Sequence, residues 1–144
     1  MTRLKDSFIG FLFLIFTVTA AQIAQGQQAT PVYVGPPVVI PASHGDCGVY
    51  FYQAFNGTAG EVLTSSVSAN SSVNVYVMTA TGFDNWQHQV LVGGDCTPSN
   101  SIASQTNTTS DSLNVKIPVT GTYYLVVENL SYSRVTARIT ANLT

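Results

Sequence analysis

The chain predicts an all-β fold, an antiparallel β-sandwich of jelly-roll type with about seven or eight strands and one short helix near residues 82–90. Three observations carry this. Apolar residues recur with a period of two through most of residues 47–143, turn-forming residues interrupt them at short intervals, and one window switches to helical spacing.

The elements follow in order. Arg3 and Lys5 form a short basic head, an apolar run covers Phe8 to Val18, and small residues follow it. This is the order of a secretory signal peptide over residues 1–26, cleaved between 20 and 26, and the apolar run is shorter than the roughly 20 residues a membrane span needs. The mature chain is therefore expected outside the cytosol, without membrane insertion after cleavage. Residues 27–37, "QQATPVYVGPP", are Pro-rich and unperiodic and read as an extended arm ahead of a domain at 38–144. Such an arm either folds back along its own sandwich or adds to a neighbour's sheet to make a homo-oligomer. Pro31, Pro36 and Pro37 limit the ladder bonds available for either.

Alternation then sets the strands. Val49, Phe51 and Phe55 oppose Tyr50, Tyr52 and Ala54, and Leu63, Val67 and Ala69 share a side. Val73, Val75 and Val77 oppose Asn74, Tyr76 and Met78, while Leu113, Val115, Ile117 and Val119 oppose Asn114 and Lys116. Tyr123, Leu125 and Val127 oppose Tyr124, Val126 and Glu128, and Val135 to Leu143 alternates against Thr136, Arg138 and Thr140. Each pattern means one buried and one wet face. Asn56-Gly57, Ala69-Asn70-Ser71, Thr120-Gly121 and residues 129–133 read as turns. Phe83, Trp86, Gln87 and Val90 fall on one face of a short helix, with Thr81 and Asp84 resembling a capping box. Phe83 and Trp86 are expected to close an open end of the sandwich. Trp86 reads as a core plug in preference to a ligand platform.

The two cysteines, Cys47 and Cys96, each end a Gly-Asp-Cys tripeptide, with His44 and His88 upstream. A zinc set would want a closer Cys pair, and a blue-copper site would want His and Met after the second Cys, where there are none. A weak calcium site at Asp46 and Asp95 requires the two loops to meet. Two cysteines in a secreted chain pair, so a Cys47–Cys96 disulfide is expected, and no metal or cofactor. Closing a loop of roughly 50 residues stabilises by about 4 kcal/mol in the chain-entropy model.

After residue 26 the chain carries three basic side chains, Lys116, Arg134 and Arg138, against six acidic ones, a net charge of −3. Nucleic acid is excluded as a partner because phosphate neutralisation needs clustered Lys and Arg, and anionic membrane surfaces are disfavoured for the same reason. Five Asn-x-Ser/Thr sequons, at Asn56, Asn70, Asn107, Asn129 and Asn142, are N-glycosylation candidates. All but the C-terminal one fall in expected turns or in the polar stretch "SQTNTTSDS", where an acceptor would be accessible.

No nucleophile elbow, His-Glu-x-x-His or phosphate loop is present, and the carboxylates are scattered, so no catalytic residue is assigned and the chain is not read as an enzyme. The segments "VNVYVMTATGFDNW" and "IPVTGTYYLVVENLSYSRVTARIT" resemble the pre-peptidase C-terminal type of β-sandwich over roughly residues 38–143. The resemblance implies a secreted accessory module. Asn74 stands where that family often has an acidic residue, so no acid-dependent metal site is implied. The leading expectation is a secreted or cell-surface, non-enzymatic module that engages an extracellular protein or glycan. Tyr50, Tyr52, Tyr76 and Tyr124, opposite the expected core, form a candidate aromatic stripe for sugar stacking. The alternatives are a structural subunit of an extracellular assembly, built as a strand-addition filament or surface layer, and a metal-binding or hydrolytic protein.

Overall fold

A computed structural model describes residues 28–45, 47–94 and 96–144. The expected signal peptide and the Asp46–Asp95 pair lie outside the described residues. The elements are β1 (Thr30–Val34), β2 (Val38–Ile40), β3 (Val49–Gly57), β4 (Val62–Thr79), α1 (Ala80–Val92), β5 (Ser101–Lys116), β6 (Gly121–Asn129) and β7 (Val135–Leu143).

The architecture turns on β4. It runs 18 residues without Pro or Gly, and both its edges are paired. Leu63–Ala69 pair with β7, Asn74–Thr79 pair with β6, and β5 follows the opposite edge of both halves. The β4–β5 register shifts between Ser68 and Val73. The sheet folds over at this irregularity, which gives one layer built on β7 and another on β6. β1 and β2 extend the first layer beyond β7, and β3 extends the second beyond β6. The far edges approach each other where Tyr33 meets Phe51 edge-on at 5.3 Å. The result is the expected antiparallel sandwich, made from one seven-stranded sheet that nearly closes.

Between the layers lie Leu63, Val75, Leu125, Val135 and Ile139, all buried. A second, smaller core lies on the outer face of the β6 layer. There Tyr76, Met78 and Val126 are covered by Phe83 and Trp86 of α1. The later part of β4 is therefore buried on both faces.

Several expectations change. Ala69-Asn70-Ser71 is not a turn but the bend inside β4, because β5 and β7 supply backbone partners on both sides up to it. The stretch "SQTNTTSDS" belongs to β5, an edge strand whose Ser and Thr side chains face water. Its irregularity is Asn107, whose φ of 54° is left-handed, a conformation Asn adopts more readily than most residues. The helix starts earlier than the spacing suggested. Its N-cap is Thr79, whose Oγ1 accepts from the Gly82 N–H at 3.1 Å, and not Thr81. It ends at Gly93, whose φ of 72° suits glycine. Residues 30–34 of the Pro-rich segment pair with β7, with a register shift between Pro31 and Tyr33, so the sheet begins ahead of residue 38.

Candidate binding surface

The register gathers the candidate tyrosines as their alternation implied, but the helix covers them. Tyr50, Glu128 and Asn74 lie side by side on β3, β6 and β4, and the next outward row is Tyr52, Val126 and Tyr76. Phe83 stacks on Tyr124 at 4.1 Å, and Trp86 packs 4.8 Å from Tyr50 and 6.2 Å from Tyr76. Gln87 Nε2 donates to the Tyr50 hydroxyl at 2.9 Å. Of the four, only Tyr52 is exposed, at 48 %. The stripe is thus the floor of the second core, not an open platform for sugar rings. Trp86 is buried with it and seals this outer face rather than an end of the sandwich.

The disulfide joins Cys47 to Cys96, with Cα atoms 5.2 Å apart. It ties the entrance of β3 to the segment after α1. Trp86 Nε1 donates to the Cys96 carbonyl at 2.7 Å, so the same segment is also fastened to the helix. His44 and His88 are both exposed.

Two consecutive residues at the end of β6 organise the neighbouring surface. Glu128 is 1 % exposed. Its Oε2 accepts from Asn74 Nδ2 and from the Tyr76 hydroxyl, each at 3.2 Å, while Oε1 lies beside Gly48. Burial pushes its carboxyl above the usual glutamate value, and the bonds from Asn74, Tyr76 and the Gly48 backbone oppose that. The Tyr76 phenol is raised as well, by burial first and then by the facing Glu128 charge. A Cβ on Gly48 would stand 2.6 Å from Glu128 Cγ, so only glycine lets the β3 entrance pass this close. The other end of the Asn74 amide accepts the Asn107 N–H at 2.9 Å and fixes the left-handed residue of β5.

Asn129 is fully buried. Its Nδ2 donates to the carbonyls of Pro41 and Ser133, both at 2.8 Å, and its Oδ1 accepts from Ser131 N at 2.9 Å and Ser131 Oγ at 2.7 Å. Ser43 N adds a bond to the Ser131 carbonyl at 2.8 Å. This corrects the sequon reading at this position: the Asn129 amide is spent on folding the β6–β7 loop and has no room for a sugar. Asn56, Asn70 and Asn107 are exposed, and Asn142 is half-buried.

The loop so held turns two apolar side chains outward, Leu130 at 50 % and Tyr132 at 81 % exposure. Beside it lies a groove of about 360 Å³ walled by Ser71, Val73, Asn74, Asn107, Leu130 and Ser131. Both walls are prefixed, one by Asn129 and the other by Asn74. No sequence argument singled out Leu130 or Tyr132. The available signal was an apolar pair inside "NLSYSR", a turn where polar residues are the rule.

No family model matches the chain, so the likeness to pre-peptidase C-terminal domains rests on strand pattern alone. No curated protein matches it either. Among solved structures it is similar to the Aeromonas hydrophila periplasmic inhibitor of g-type lysozyme, with a TM-score of 0.54, 13 % identity, and coverage of 85 % of this chain and 92 % of that one. It overlaps more loosely with the K3 adhesin domain of Lys-gingipain from Porphyromonas gingivalis, with a TM-score of 0.44, 13 % identity, and coverage of 81 % and 71 %. The first likeness is one of fold.

Proposed function

We propose that this chain is a non-enzymatic, extracytoplasmic binding module that holds a protein partner against Leu130, Tyr132 and the adjoining groove. One observation carries the reading: an exposed tyrosine and leucine sit on a loop whose backbone is pinned by a buried asparagine. Exposed apolar side chains on a flexible loop would lose entropy on binding, whereas here the ordering is already done. Tyr is enriched among residues that dominate interface energetics, and the rim of Ser and Asn suits a non-obligate contact. The expected signal peptide and the disulfide support a compartment that is oxidising. The fold shared with a periplasmic inhibitor is compatible with a binding role.

The test is affinity isolation from the source organism's extracellular proteins with three baits: wild type, Leu130→Ser/Tyr132→Ser, and Val119→Ser. Val119 is 66 % exposed and follows β5, away from the groove lining. The reading expects a protein retained by wild type and Val119→Ser and lost from the double variant. Capture unaffected by the double variant contradicts it.

A further inference from the structure

The structure carries a second concavity, of different chemistry, on the far side of the helix. A cleft of about 340 Å³ lies between α1 and residues 97–100, walled by Asn85, His88, Gln89, Thr97, Ser99 and Asn100, with Trp86 and Pro98 in its floor. That volume lies in the range of small-molecule sites, roughly 300–1,000 Å³. We propose that this cleft binds a neutral saccharide.

The lining decides the class of ligand. No charged side chain is among the described lining residues, so a phosphate or carboxylate has no counter-ion there, and a cation has no carboxylate. No group of three or more His, Cys, Asp or Glu is placed to hold a metal among the described residues. An apolar ligand would strip water from the wall amides without replacing it. The wall side chains are amides, hydroxyls and an imidazole, groups that both donate and accept. Among the described residues, those of Asn85, His88, Ser99 and Asn100 have no hydrogen bond within the protein. A vicinal diol makes the same two-way demand, and one amide meets it with a donor and an acceptor side by side. A peptide would instead need apolar recesses for its side chains, and the floor residues Trp86 and Pro98 are buried.

The cleft is also rigid. The helix is capped at both ends, Trp86 is bonded to Cys96, and the disulfide anchors the segment that leads into the far wall. At Gly82 the helix touches that wall so closely that a Cβ would lie 3.0 Å from the Asn100 carbonyl. A backbone held in this way adds little ordering cost on binding.

The experiment titrates the intact chain with cello-, laminari-, manno-, xylo- and chito-oligosaccharides by calorimetry and by amide shifts. Asn85→Ala, Asn100→Ala and Val119→Ala are run alongside, and all three positions are exposed. Circular dichroism verifies folding. At least one series is expected to bind at about 1 mM or tighter. Asn85→Ala and Asn100→Ala should each weaken it roughly tenfold, and Val119→Ala should leave it unchanged. Binding of none of the series overturns the proposal. So does sugar binding that ignores both asparagine variants, or a cleft that takes a neutral peptide and no sugar.

Discussion

Asn129 grips Ser131 twice, accepting its backbone N–H at 2.9 Å and its hydroxyl at 2.7 Å on one carbonyl oxygen. With the two donations to Pro41 and Ser133, the amide spends both hydrogens and the oxygen on loop geometry. Asn129→Ala leaves those partners unpaired. It should lower stability by about 2–4 kcal/mol in urea unfolding, the range for losing several buried hydrogen bonds. A loss below about 0.5 kcal/mol would mean that the loop does not depend on this residue.

Leu130 and Tyr132 give the opposite pattern. Their side chains are exposed, so Leu130→Ala and Tyr132→Ala should each shift stability by no more than about 0.5 kcal/mol. Partner affinity should nonetheless fall by about 2 kcal/mol for Tyr132→Ala, the threshold of an interface hot spot. A stability loss comparable to that of Asn129→Ala would reassign the pair to packing.

Glu128 sets a pH dependence. Its carboxyl is raised in the folded chain by burial, so the folded state holds its proton more tightly than the unfolded state. The stabilising contribution is complete below the ordinary value of 4.5 and is lost as pH rises through the folded value. Glu128→Gln removes the titration. The melting-temperature gap of variant over wild type should therefore widen as pH increases from 4 toward 7. A gap that narrows over this window would show that the ionised carboxylate is favoured in the fold. Because Asn74 joins Glu128 to Asn107, the amide shift of Asn107 should follow the same titration.

The sequons divide by burial. Expressed in an N-glycosylating cell, the chain should carry sugar at one or more of the exposed Asn56, Asn70 and Asn107, and none at Asn129. Peptide mapping of the folded, secreted product gives the answer. A glycan on Asn129 in that material contradicts the hydrogen-bond set assigned to it.

Much of the fold was legible because alternation is a local property. Val73, Val75 and Val77 announce a buried face wherever their strand sits in the sheet. The pairing of two cysteines followed from the expected compartment and their count. What period two could not reveal is continuity: Ala69-Asn70-Ser71 has turn chemistry, yet partners on both edges hold it extended. The tyrosine stripe was placed on the correct face, but burial by α1 depends on where a helix docks, which spacing within each strand does not encode. Asn129 illustrates the same limit at the candidate site. Its sequon is a three-residue pattern, whereas its partners Pro41 and Ser133 come from two separate loops.

The most direct test of the central claim is hydrogen–deuterium exchange of the chain with and without its isolated protein partner. Binding through the pinned loop and its groove should slow exchange at residues 71–74, at Asn107 and across residues 130–133, leaving α1 and residues 97–100 as they were. Protection confined to the helix cleft or to the free edge of β5, with residues 130–133 exchanging at the unbound rate, would contradict it.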